Sequence, residues 1–317
     1  MKLKIENQQL QDKEVSRWWN DERTKKWHHK TYSKDYPHVD HVLLRQTKTL
    51  KYLKDLNLPS TSKVLEIGYG GGQTALKILE MGYEVHGIDV SQHFCDETKR
   101  KCQKYVNSKK AFFRVGSIEG NLPFEDNFFD AIVVLGAMQY VGNLEFCFKN
   151  ISRVLKKDAH FIICQSSMYS LHSFFGIRKF ILKLCYFFLN QEFVISPCFR
   201  SMLLETKLNL IFKRYENSKF MKSNFMVKGD DPWTYKIRKR LYGYFRLKKI
   251  LKQFKFEILD HTNATFILSK KGFFFKTVKI IDNSLQKISE IKLFWYVGLF
   301  SDNVIFKAIN KKSKNYE

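Results

Sequence analysis

The chain has 317 residues, 44% of them hydrophobic, and a net charge of +24 at neutral pH. That length buries a real core in one large domain, or one domain with a sizeable extension, and the composition excludes a disordered or fibrous chain. No stretch of about 18 residues is apolar and uncharged, and Met1-Lys2-Leu3-Lys4-Ile5 leads into no apolar run, which argues against a spanning helix and a secretory signal.

Residues 1–60 read as a helical, polar-aromatic segment with Trp18, Trp19 and Trp27, suited to act as a lid on the next region of the chain. From Lys63 strands and helices alternate. Val64–Ile67 is a short apolar strand that runs into the glycines 68, 70, 71 and 72. Ala75–Met81 reads as a helix with Gly82 at its C-terminal cap. Glu84–Asp89 is the second strand, and Ser91 is placed to cap the next helix. Ala111–Val115 is a third strand. Asp130–Leu135 is a fourth, continuously apolar after its first residue, as a strand covered on both faces must be. Leu144–Leu155 is a helix and His160–Gln165 a fifth strand. Five β-α repeats with short connections predict an α/β fold, a doubly wound, mostly parallel sheet.

After Gln165 the regularity ends. Ser170–Leu189 reads as a helix rich in Phe, Leu and Ile. A basic helix is expected over Trp233–Phe254, where Leu247, Ile250, Leu251 and Phe254 share one face. Phe256–Thr262 and Val304–Asn310 complete a seven-stranded sheet. The expected division is therefore 1–60, an N-terminal helical lid; 61–165, a Rossmann-like nucleotide-binding core; and 166–317, a helical insertion between strands five and six plus the last two strands.

Residues 166–317 carry 29 Lys/Arg against 11 Asp/Glu, so the positive excess belongs to the second half. Such charge draws anionic lipid, nucleic acid or a phosphorylated substrate. An AT-rich codon bias also produces it, since Lys, Asn, Phe, Ile and Tyr are all abundant. The segment 169–190 puts His172, Lys179 and Lys183 on one helical face and apolar side chains on most of the rest. It reads equally as an interfacial helix on a membrane, a substrate lid or core. The six cysteines (95, 102, 147, 164, 185, 198) form no C-x-x-C pair. They suggest reduced thiols of a cytoplasmic protein, and no metal site is expected.

The stretch Glu66-Ile67-Gly68-Tyr69-Gly70-Gly71-Gly72 carries the chemistry. A strand, a glycine turn and a helix N-terminus allow close approach of a nucleotide and present free N–H groups to it. Gly70-Gly71-Gly72-Gln73-Thr74-Ala75 also fits a dinucleotide pattern. Glu66 argues against a dinucleotide, because a carboxylate there opposes a pyrophosphate and suits a ligand with an ammonium group. Asp89 ends the second strand, where an acid accepts ribose hydroxyls. Gly116-Ser117-Ile118 follows the third strand.

With these residues in view, the region 63–165 resembles the class I S-adenosylmethionine-dependent methyltransferases, especially small-molecule enzymes similar to the quinone C-methyltransferases. The matching stretches are Val64–Gly72, Gly87-Ile88-Asp89-Val90-Ser91, Leu122-Pro123-Phe124 and Arg153-Val154-Leu155-Lys156. The resemblance implies that Glu66, Gly68 and Gly70 contact the methionine part of the cofactor, with Tyr69 also among the cofactor-binding residues. It implies that Asp89 holds the ribose, that Val90 packs on the adenine, that Ser117 and Ile118 face the adenine, and that Leu135 lines the methionine side. The chain departs from the family at Ser117, where an Asp is usual, and at Lys156-Lys157-Asp158-Ala159, which replaces a Lys-Pro-Gly-Gly turn.

A sulfonium methyl is already activated, so the protein has mainly to align the acceptor and exclude water. No catalytic base stands out. Tyr140 and Gln139, just past the fourth strand, and His28, His29, His38 and His41 in the N-terminal segment are the candidates. The layout of 166–317 resembles that of methyltransferases of polysaccharide and lipid-linked sugar pathways. The expected acceptor is a small molecule, a sugar or a lipid-linked group, with peripheral contact to an anionic membrane surface, and nucleic acid is disfavoured. The chain lacks the Asp/Asn-Pro-Pro-aromatic loop of amino methyltransferases, and Pro197-Cys198 lies after the fifth strand rather than the fourth. Two alternatives stand beside this reading: a basic membrane- or RNA-associated protein with a degenerate site, and an NAD-dependent oxidoreductase.

Overall fold

A computed structural model describes residues 13–34, 36, 39–167, 193–195, 239–241, 244–266, 275–291, 296, 298 and 301–311. Residues 13–19 form helix α1, followed by α2 (Glu22–Thr31) and α3 (Val39–Lys54). The alternating part then runs β1 (Lys63–Ile67), α4 (Gln73–Glu80), β2 (Glu84–Asp89), α5 (Gln92–Lys101), α6 (Gln103–Asn107), β3 (Ala111–Val115), β4 (Phe129–Leu135), α7 (Leu144–Val154) and β5 (Leu155–Ser166). Beyond it come two short strands, β6 (Phe193–Ile195) and β7 (Lys239–Leu241), which pair antiparallel. Helix α8 (Tyr244–Gln253), β8 (Phe256–Ala264), α9 (Phe275–Glu290) and β9 (Asn303–Asn310) complete the order.

The main sheet has seven strands in the order β3-β2-β1-β4-β5-β9-β8. The neighbours β3, β2, β1, β4 and β5 pair parallel. β9 runs antiparallel to both β5 and β8. This is the doubly wound, mostly parallel sheet that the repeats predict. Strand order reverses between β1 and β4, and in open α/β sheets ligands bind at such a switch, outside the carboxyl ends of the strands.

Alternation along the central strands feeds two apolar layers. Leu65, Ile67, Ile132, Val134, Phe161 and Ile163 point to one face, where Phe148 and Ile151 of α7 and Leu247, Ile250 and Leu251 of α8 cover them. Val64, Val85, Ala131, Val133, Ile162 and Cys164 point to the other, against Leu50 and Leu53 of α3 and Ala75, Ile78 and Leu79 of α4. Four consecutive β4 residues, Ala131 to Val134, are fully buried, which explains why that strand is apolar without interruption.

Several boundaries differ from expectation for identifiable reasons. β5 starts at Leu155 rather than His160. Its first residue pairs with Phe129, but Ala131 already pairs with His160, so residues 156–159 bulge out of the ladder. Asp158 has φ 59, the left-handed region a glycine would ordinarily fill, so a turn persists inside the strand. The side-chain amide of Asn310 donates to the carbonyls of Ser152, Leu155 and Lys156, tying β9 to this turn. The helix expected over Trp233–Phe254 is corrected: Lys239–Leu241 is a strand, and the helix covers Tyr244–Gln253. Gly243 lies between the two, and pairing with Phe193–Ile195 outweighs helix propensity at three residues. Helix α9 was not anticipated. Lys48 of α3 donates to Gln286 and Glu290 at its end. The helix expected at Ser170–Leu189, the segment 169–190, His38, Cys185 and Pro197-Cys198 lie outside the described residues.

Candidate functional site

The glycine loop between β1 and α4 is shaped by three left-handed glycines, Gly68, Gly70 and Gly72, with φ of 74, 51 and 75. At Gly68 a Cβ would stand 2.5 Å from the Cβ of Ala137, which belongs to the loop after β4. Only glycine allows the two loops to approach this closely. Helix α5 braces the turn from behind. Thr98 Oγ1 donates to the carbonyl of Gly70 at 2.9 Å, and Lys101 Nζ donates to that of Gly71.

Asp89, at the end of β2, accepts from the N–H of Gly70 at 2.9 Å through one carboxylate oxygen and from the N–H of Ser91 at 2.9 Å through the other. Burial raises its pKa, and these backbone donors partly offset the rise. Glu66, near the end of β1, has 1% exposure. Burial, reinforced by the Asp89 carboxylate, pushes its pKa up to about 8. Its Oε2 is buried with no hydrogen-bond partner.

These residues line one cavity of about 350 Å³. Its wall brings together Glu66, Gly68, Tyr69, Gly70, Asp89, Val90, Ser117, Ile118 and Leu135, with Gln139 and Tyr140. Tyr69 contributes from the loop itself. Its ring packs on Phe113, and its hydroxyl donates to the carbonyl of Arg114, so the side chain is committed to the layer behind the sheet. Ser117 Oγ accepts from the N–H of Glu119 at 3.0 Å. A larger hollow of about 960 Å³, between α3, α8 and β8, has mixed lysines and acids in its wall and no part of the glycine loop.

The N-terminal helices close the cavity from above. Ser16 Oγ donates to the carbonyl of Val90, and Ser91 Oγ to that of Trp19. Ser91 also caps α5 by accepting from the N–H of Phe94, as its position predicts. The Tyr140 ring packs on Trp18 and Trp19 at centroid distances of 5.6 and 5.9 Å. Burial raises the Tyr140 pKa and keeps its hydroxyl protonated, with a side-chain hydrogen bond to Gln139. His28 sits directly over the loop, its Nε2 2.9 Å from where a Cβ on Gly70 would lie. Burial drives its pKa down to about 3, which makes it a poor general base near neutrality. His41 also lines the cavity and faces Asp302 at 3.2 Å. His29 does not line it and pairs with Glu97 on the outer side of α5.

Sequence reasoning passed over Arg45, Tyr32 and Tyr36, which all line this cavity. Arg45 projects from α3 with Nη1 3.6 Å from where a Cβ on Gly136 would lie, and its side chain hydrogen-bonds Tyr32. Its Nε is buried without a partner. The Tyr32 hydroxyl feels both the Arg45 charge and the Glu66 carboxylate. The wall thus offers a carboxylate for an ammonium and a guanidinium for a carboxylate, complementary to the two ends of an amino-acid zwitterion. A sequence signal for Arg45 would require knowing that α3 lies across the switch point.

Comparison with known proteins agrees with this geometry. The profile of a family described as a methyltransferase domain matches residues 65–163. The demethylmenaquinone methyltransferase of Tropheryma whipplei (strain Twist) is 29% identical over 114 residues, 36% of this chain and 46% of that protein. The chain therefore spans about half the length of the first curated relatives it matches. An uncharacterized protein of Methanocaldococcus jannaschii is 26% identical over 231 residues, 73% of each chain. Among solved structures, geranyl diphosphate C-methyltransferase from Streptomyces coelicolor A3(2), in complex with Mg2+, geranyl diphosphate and S-adenosyl-L-homocysteine, superposes with a TM-score of 0.54. That match has 11% identity and covers 95% of this chain and 98% of the other. A S-adenosylmethionine-dependent methyltransferase from Methanosarcina mazei gives a TM-score of 0.50 at 16% identity, over 82% and 98% of the two chains. The matched profile makes residues 65–163 a methyltransferase domain, and its sheet order and glycine loop have the fold of S-adenosylmethionine-dependent methyltransferases.

Proposed function

We propose that the whole chain transfers a methyl group from S-adenosylmethionine to a small-molecule acceptor. The observation that carries this is Glu66: a buried carboxylate beside the glycine loop, one oxygen of which has no partner until an ammonium group arrives. In this reading Glu66 and Arg45 take the amino and carboxylate ends of the methionine part. Asp89 receives the ribose hydroxyls while keeping its bonds to the loop, and Val90, Ser117 and Ile118 border the adenine. When bound, the cofactor supplies a methyl group activated by its sulfonium. The chain's residues then orient the acceptor and exclude water, and the aromatic N-terminal helices provide that cover.

No residue of the wall is needed as a strong base. Tyr140 is held as a phenol and His28 as a neutral imidazole, so both serve as hydrogen-bonding and shaping groups. Trp19, Trp27, Tyr32, Tyr36 and Tyr140 form much of the wall. That aromatic share favours an acceptor with an apolar or planar body, such as a lipid or quinone, over a bare sugar. Peripheral contact with an anionic membrane surface is consistent with the charge of the second half. Among the described residues, no helix is long and apolar enough to cross a membrane.

Thermal shift tests the reading. S-adenosylmethionine and its demethylated product at millimolar concentration should raise the melting temperature, and NAD should not. Asp89→Ala should abolish most of that shift. Absence of a shift with either ligand would sink the proposal.

A further inference from the structure

On the outer side of the glycine loop, His29 of α2 meets His93 and Glu97 of α5. One nitrogen from each imidazole and one oxygen of the carboxylate all lie within 4.8 Å of one another. His29 Nε2 is 3.2 Å and His93 Nε2 3.6 Å from the same oxygen, Glu97 Oε2. Two ligand atoms bound about 2.1 Å from one tetrahedral ion stand about 3.4 Å apart, and both separations bracket that value.

Two further observations point to a ligand. His93 Nε2 and Glu97 Oε2 are buried and make no hydrogen bond, so two potential ligand atoms face a shared point with only the longer ion-pair contacts to His29 and to each other. The second oxygen, Glu97 Oε1, faces Lys101 separately in an ion pair at 3.5 Å, the place of an outer-shell partner of a metal ligand. Lys25, the other cation near His93, is paired with Glu22 at 2.6 Å. His93 and Glu97 are spaced i, i+4 and present one helical face, while His29 approaches across the gap with half of its side chain exposed.

We propose that His29, His93 and Glu97 form a site for a divalent transition metal such as Zn2+, which fastens α2 to α5. Two imidazoles, one carboxylate and an open fourth position suit that class of ion and not Ca2+ or Mg2+, which prefer oxygen ligands. Lys101, next to Glu97, donates to the Gly71 carbonyl, and Thr98, on the same helix, to that of Gly70. The metal therefore pins the N-terminal cover onto the helix that braces the glycine loop. None of the three ligands lines the glycine-loop cavity, His29 included, so the site stands apart from the methyltransferase reading.

Zn2+ alone, titrated into the untagged full chain against a chromogenic chelator, tests it. One equivalent should bind, and His29→Ala, His93→Ala and Glu97→Gln should each weaken binding at least about tenfold. Zn2+ should also slow hydrogen exchange of the α2 backbone in the wild type and not in His29→Ala. His29 is exposed, so its truncation leaves the core intact. No binding by the wild type, equal binding by the three variants, or binding without protection of α2 would each overturn the proposal.

Discussion

The side chains that decide this pocket are charged groups placed where charge is costly. Glu66 is fully enclosed, and Arg45 has a guanidinium nitrogen buried without a partner. In the proposed reading an entering zwitterion gives Glu66 Oε2 and Arg45 Nε the partners they lack, and binding relieves the desolvation of those two atoms. Arg45→Met keeps much of the apolar stem and removes the charge. Loss of one charged hydrogen-bonding group is worth roughly 1.5–3 kcal/mol, so the cofactor dissociation constant should rise by about 10–100-fold while the fold survives. Isothermal titration with the demethylated product reads this directly, since no acceptor is needed. An unchanged constant would remove Arg45 from the site. Glu66 was legible in the sequence because it stands at the strand end, two residues before Gly68. Arg45 was not, because it is twenty-one residues away on a helix whose placement the pattern of apolar residues does not reveal.

At the scale of elements, the central five strands and their helices were legible because each strand is apolar in the register its burial demands. β4, buried on both sides, is the clearest instance. The boundaries that failed involve longer-range partners. The start of β5 depends on a turn tied down by Asn310, some 150 residues away, and β7 depends on pairing with β6. Local sequence contains neither contact. The approach of the loops after β1 and β4 has a consequence that mutation can isolate. Gly68→Ala adds a Cβ at a φ of 74, in contact with the Cβ of Ala137. Left-handed strain and overpacking together should cost about 2–4 kcal/mol. Adding Ala137→Gly removes the steric part and not the backbone part. The double variant should therefore recover a portion of the stability lost, measured by denaturant unfolding. Equal stability of the single and double variants would show that the loops do not press on each other.

For the molecule as a whole, the enclosed carboxylate couples stability to pH and, under the proposed function, couples cofactor binding to pH as well. Glu66 has an ordinary pKa of 4.5 when unfolded and about 8 in the fold. Between these values the native state holds more protons than the unfolded chain. Stability without cofactor must therefore fall as pH rises through this window, by up to about 1.4 kcal/mol per unit from this group. Asp89, also raised, contributes in the same direction at the acidic end. Glu66→Gln removes the Glu66 contribution, so the variant should melt higher than the wild type at pH 8 and nearly level with it at pH 5. Binding of an ammonium reverses the preference by favouring the ionised carboxylate. The melting-temperature gain on adding S-adenosylmethionine should therefore grow from pH 6 toward pH 8 in the wild type, until the ligand's own α-amino group begins to deprotonate. In Glu66→Gln the gain should be smaller and nearly flat over the same range. Scanning calorimetry across pH 5–8, with and without ligand, separates the two contributions. Parallel profiles for wild type and variant would mean that Glu66 is already ionised in the empty pocket, and the residue would then owe its position to something other than an incoming cation.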